Sequence, residues 1–181
     1  MTVSTSSLLF WGSWVLAYFY LPLIVFLLSL FTLFLLRRKY FEARLLFVCF
    51  LGWGFSEFLL KPFFQIACPK GVLGQFYSLQ EVLHLPFLHS YALKYPCYPS
   101  GHTVGYVVFF GYLALLTFLY IKNKISRWLV FTFVALIIVL IGPSRLYLHV
   151  HWLSDVIAGY LLGAAILSGL IILRYKHNPQ T

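Results

Sequence analysis

Charge is what this sequence has least of. Only 9% of its 181 residues are charged and just four are acidic, against 62% hydrophobic and a mean hydropathy of +0.91. Soluble globular chains carry roughly a quarter charged residues, so the soluble class is excluded and the chain reads as an integral membrane protein. No stretch is polar enough for a separate soluble domain or linker. There is no internal repeat, no low-complexity segment and no glycine-rich phosphate loop of the strand-to-helix kind. A cleaved signal peptide is not expected either, because Met1 to Ser7 contains no basic residue and the apolar run that follows is too long. One membrane-embedded domain over residues 1–181 is the expectation.

The net charge of +9 raises the question of nucleic acid, and the positions of the charges answer it. Lysines and arginines gather at the ends of apolar runs and form no continuous stripe, which argues for a bilayer and against nucleic acid. Apolar runs over residues 8–36, 45–60, 103–121, 128–141 and 152–173 predict an all-α bundle of five spans. Pro22 falls inside the first run, but splitting the run there would leave two pieces shorter than the ~20 residues a crossing needs. One long, tilted or kinked helix is expected, with Trp11, Trp14, Tyr18 and Tyr20 at the interface. Lys61-Pro62 is expected to end the second span. Residues 61–99, with five prolines at 62, 69, 86, 96 and 99, read as a loop region containing one short interfacial helix near 79–88.

Five spans put Arg37, Arg38, Lys39, Arg44, Lys122, Lys124, Arg127, Arg174 and Lys176 on one side, and Lys61, Lys70, Lys94 and Arg145 on the other. Basic residues in short loops stay in the cytoplasm. The predicted orientation therefore has the N-terminus and the 61–99 loop outside and the C-terminus inside, with Lys61 and the stretches 95–102 and 144–155 on the outer face.

Two of those outer stretches carry most of the chemistry. In Ser144-Arg145-Leu146-Tyr147-Leu148-His149-Val150-His151-Trp152-Leu153-Ser154-Asp155, a helical turn near His151 would stack Asp155 one turn away on the same face. A carboxylate there can hold one ring nitrogen and free the other for attack; the plainer reading is a polar cap at a helix end. Tyr98-Pro99-Ser100-Gly101-His102-Thr103 opens the third span, where unpaired N–H groups and the positive end of the helix dipole favour an anion. Gly101 would let an oxyanion approach the backbone and Ser100 could donate to it. The alternative is that Pro99 and Ser100 only begin and cap the helix.

Taken together, these residues resemble the type 2 phosphatidic acid phosphatases, or lipid phosphate phosphatases, which share a site with vanadium haloperoxidases. The family's motifs read K-x6-R-P, P-S-G-H and S-R-x5-H-x3-D. Residues 61–69, 99–102 and 144–155 match them in order, the last two at every fixed position, and the resemblance covers roughly residues 45–173. It implies that His151 is the nucleophile forming a phosphohistidine, that Asp155 orients it, and that His102 protonates the leaving oxygen. It also implies that Lys61, Ser100, Gly101 N–H and Arg145 cradle the phosphate, with no metal or other cofactor required. His149, Glu57, His84 and His89 are read as interface, span-end or loop polar groups.

Two departures from the family stand out. Its membrane members usually have six spans, against five here. Cys68 stands where the first motif has its arginine, so one phosphate cation is missing. Lys70 or Lys94 could supply charge, though not the bidentate contact of a guanidinium. Cys68 lies in the first motif and Cys97 three residues before Ser100, both on an oxidising face, and a disulfide between them is expected to preorganise Lys61 against Ser100 and Gly101.

The function implied is removal of a terminal phosphate from a membrane lipid at the outer leaflet of a plasma membrane, such as the bacterial inner membrane. Undecaprenyl diphosphate, phosphatidylglycerol phosphate, a lipid A phosphate or a phosphatidate-like lipid would each fit. A lipid-to-lipid phosphotransferase and a non-catalytic lipid-binding protein are the alternatives, and nothing in the sequence sets an oligomeric state.

Overall fold

The computed structural model describes residues 20–69 and 96–177, and apart from one isolated β-bridge every element among them is helical. The helices are α1 (Tyr20–Leu36), α2 (Tyr40–Phe64), α3 (Gly101–Tyr120), α4 (Lys124–Tyr147) and α5 (Leu153–His177). Four of them, α2 to α5, are long and apolar enough to cross a membrane. The described part of α1 has 17 residues; residues 8–19 of its run, with Trp11, Trp14 and Tyr18, lie outside the described residues. The protein is an all-α polytopic membrane bundle.

Helix ends follow local chemistry. Arg38, in the left-handed region at φ 55°, closes α1 as a Schellman turn, with Lys39 N–H donating to Phe34 O and Arg38 N–H to Leu35 O. The second span was expected to stop at Lys61-Pro62, and instead it continues to Phe64. A π turn over Ser56–Leu60, in which Lys61 N–H reaches back to Ser56 O, widens the helix just before Pro62 and relieves the clash its ring would otherwise make. The fourth span likewise runs past residue 141, through Pro143, to Tyr147. Tyr160 of α5 mends that break: its hydroxyl accepts from Gly142 N–H and lies 2.8 and 3.0 Å from the carbonyls of Ile138 and Val139, which the proline leaves short of donors.

α3 is the central helix, with 72% of its span buried against 17% for α4. Val104, Tyr106, Val108, Phe109 and Tyr112 are completely enclosed. It packs closely on α5 because Gly159 and Gly163 leave room: a Cβ on Gly159 would come within 2.8 Å of Thr103 Cβ, and one on Gly163 within 2.7 Å of Val107 Cβ. Small residues four apart let two backbones approach in a membrane, and here they fix the start of α3 beside the start of α5.

Candidate active site

Three segments meet where α2 ends and α3 and α5 begin. Ser100 N-caps α3, its Oγ accepting from Thr103 N–H at 3.4 Å and Thr103 Oγ1 at 2.9 Å, while its own N–H donates to Asp155 O at 3.0 Å. The capping reading of Ser100 is therefore met in the structure, and the hydroxyl is fully buried. Asp155, the third residue of α5, closes the start of that helix by reaching back. Its Oδ2 accepts from Trp152 N–H at 2.9 Å, its Oδ1 lies 3.4 Å from Ser154 Oγ, and the side chain is wholly enclosed.

His151 sits in the turn between α4 and α5, its Nδ1 3.4 Å from Asp155 Oδ2. Burial pushes its pKa below the ordinary histidine value, Lys61 and Arg145 push the same way, and only Asp155 opposes them. The imidazole is therefore held neutral near pH 7 with Nδ1 turned to a carboxylate, the state in which Nε2 is a nucleophile.

Arg145 is almost fully buried at the end of α4, its Nε donating to Ser144 Oγ at 3.2 Å. The buried Tyr106 lies within its electrostatic reach. Sequence reading overlooked that tyrosine, because one aromatic among many in an apolar run carries no pattern of its own. Lys61, the first residue after the π segment, is ion-paired to Glu57 Oε2 at 2.7 Å. Gly101 opens α3, and a Cβ there would fall on the Glu57 carboxylate. Glu57, read from sequence as a span-end polar group, thus sits between the first and second motifs. His102 follows Gly101 on the first turn of α3, half-buried, whereas His149 at φ 53° is exposed. Lys70, Lys94, His84 and His89 lie outside the described residues.

Cys68 and Cys97 are joined by a disulfide with Cα atoms 5.1 Å apart. The bridge is reinforced by Cys97 N–H donating to Ile66 O at 2.8 Å and by Trp152 Nε1–H donating to Ala67 O at 3.0 Å, so the first motif is tied to the other two. Cys97 Sγ also touches Val150 O at 3.3 Å, next to His151. Among the described residues, the grouping of Cys97, His151 and Asp155 is close enough to hold a metal ion, but the disulfide occupies the thiol and leaves two donors.

These features define a polytopic membrane protein with a buried His–Asp pair, two cations and a helix N-terminus converging at one end of the bundle. The chain belongs to the PAP2 superfamily, whose match spans residues 42–179. It is 37% identical over 67 residues to Lipid A 4'-phosphatase of Porphyromonas gingivalis, a match that covers 37% of this chain and 25% of that protein. The chain thus spans only about a quarter of the length of that relative. No solved structure matches.

Proposed function

We propose that the protein is a membrane lipid phosphate phosphatase working through a phosphohistidine on His151. The observation that carries this reading is the His151 Nδ1 to Asp155 Oδ2 contact of 3.4 Å, made beside Lys61 and Arg145. With Asp155 holding Nδ1–H, the Nε2 lone pair attacks phosphorus as the bond to the lipid oxygen breaks, and His102 gives that oxygen a proton. Water then takes the phosphoryl group from Nε2 and returns a proton to His102. Lys61, Arg145, Gly101 N–H and Ser100 surround the equatorial oxygens, where phosphoryl transfer concentrates charge. These cations belong to the chain itself, so turnover is expected to survive a chelator.

Membership of the superfamily and the likeness to a lipid A 4'-phosphatase support a lipid phosphate as substrate. Lipid A phosphate, undecaprenyl diphosphate and phosphatidylglycerol phosphate form the panel to test. The nine-to-four distribution of basic residues supports a site on the outer face, with the C-terminus in the cytoplasm. The test is phosphate release by protein purified in detergent, with chelator present. Release from one of these lipids by the wild type and none by His151→Ala is expected. No release from any of them would overturn the reading, as would activity lost to chelator and restored by a divalent ion. Phosphate passed to a second lipid instead of water would make the protein a phosphotransferase.

A further inference from the structure

Glu57 sits where a phosphate-binding site has the least use for a carboxylate. It lies on the π turn of α2, its Oε2 is 2.7 Å from Lys61 Nζ, and its carboxylate lies against Gly101 so closely that any side chain there would displace it. A π turn is a costly local geometry that concentrates at functional sites. Four residues apart on one helix face, Glu57 and Lys61 lie together beside the first turn of α3, with the Glu57 side chain 23% exposed and Lys61 18%. Lys61 and the N–H groups at the start of α3 are also the groups assigned above to the substrate's phosphate.

We propose that Glu57 is a displaceable counter-anion that occupies the phosphate's place in the empty site and sets its specificity. The inference rests on the phosphatase reading and deepens it. Any incoming phosphate has to take Lys61 from Glu57 and meets the displaced carboxylate's charge nearby. A lipid phosphate offsets that cost with contacts made by its apolar part; free inorganic phosphate has none to offer. Glu57 therefore discriminates substrate from product, and by retaking Lys61 it drives phosphate out after each turnover.

A residue that merely orients Lys61 would give the opposite sign, and binding of inorganic phosphate separates the two. Wild type and Glu57→Gln, purified in detergent, are titrated with inorganic phosphate by calorimetry and assayed on the same lipid phosphate. Glu57→Gln is expected to bind phosphate about tenfold tighter, the scale of one nearby like charge removed from a partly screened site. Its KM for the lipid should fall, its kcat should not rise, and the gain in phosphate affinity should vanish in a Lys61→Met background. Unchanged or weaker phosphate binding by Glu57→Gln, in a protein whose wild type hydrolyses the lipid, sinks this inference alone. Absence of both hydrolysis and phosphate binding in the wild type sinks the phosphatase reading and this inference with it. Should Glu57→Gln fail to accumulate, Glu57→Ala is read by the same signs.

Discussion

The two ends of the bundle each bury a carboxylate, and they use it differently. At the end where α3 finishes, Glu42 is 4% exposed and surrounded: Tyr112 OH lies 2.9 Å from its backbone carbonyl and 3.4 Å from Oε2, Tyr120 OH donates to Oε1 at 3.1 Å, and Arg174 Nη2 lies 3.5 Å from Oε1. Lys39 stacks over the Tyr120 ring at 4.1 Å, and His177 over Phe41 at 3.7 Å. Charge there is consumed within the protein, and the result is a latch joining α2, α3 and α5. At the other end Asp155 is equally enclosed, but its partners are a backbone N–H, the Ser154 hydroxyl and the ring of His151, and the cations beside it converge on that ring. A carboxylate taken up by a cation and two tyrosines holds helices together; one that shares an oxygen between a backbone N–H and a histidine among cations orients that ring.

That contrast predicts which substitutions separate activity from stability. The largest effect belongs to His151→Ala, which should lower phosphate release by at least about 10³-fold while the denaturation midpoint in detergent stays put. A midpoint that fell along with activity would mean the His–Asp pair is a latch as well. His102→Ala should slow turnover by about 10²- to 10⁴-fold as its general acid is lost, with the phosphoenzyme accumulating where loss of the same residue as base slows the attack of water more than it slows phosphoenzyme formation. At the opposite end, Glu42→Ala should destabilise the fold by about 1 to 3 kcal/mol, because it takes a carboxylate from the part-buried Arg174 and from the Tyr120 hydroxyl, and leave turnover per folded molecule unchanged. Loss of specific activity in that variant would erase the distinction between the ends.

The disulfide comes next. Its two cysteines are 29 residues apart in sequence, and Cys68→Ser should cost roughly 3 to 4 kcal/mol on the loop-entropy account. It should also raise KM, since Lys61 is then held to the second motif only by hydrogen bonds, ring contact and Glu57. Identical thermal melts with and without reductant would contradict this. The smallest effect is on the pH profile. Burial, Lys61 and Arg145 all depress the His151 pKa, so the acid limb of kcat/KM belongs below the ordinary histidine range. Removing a cation relaxes one downward push, so Lys61→Met should move that limb to higher pH. Asp155→Asn removes the upward pushes and should move it lower; shifts in the reverse directions would assign the limb to another group.

How much of this was legible in the sequence varies with the kind of signal. The bundle could be read because hydrophobic runs are long and charges sit at their ends. The motifs could be read because polar residues that are few between the apolar runs, among them the single aspartate, Asp155, fall at fixed spacings at the ends of those runs. Helix ends were misplaced at Pro62 and Pro143, where a π turn and the hydroxyl of Tyr160 supply what proline removes, and neither device has a local signature. The close contact of Gly159 and Gly163 with α3 went unread for a related reason, since a glycine pair in an apolar run announces no partner. Glu57 looked like one more polar group at a span end because its meaning depends on Gly101, 44 positions further along the chain (101 − 57) and against it only in the folded bundle.

The central claim is that His151 carries the phosphoryl group, and trapping it tests that most directly. His102→Ala protein in detergent, mixed with a labelled lipid phosphate that the wild type hydrolyses and quenched in alkali to preserve a phosphoramidate, should yield a peptide with the label on His151. Label on any other residue, or unimpaired hydrolysis by His151→Ala with no trapped adduct in either protein, would contradict it.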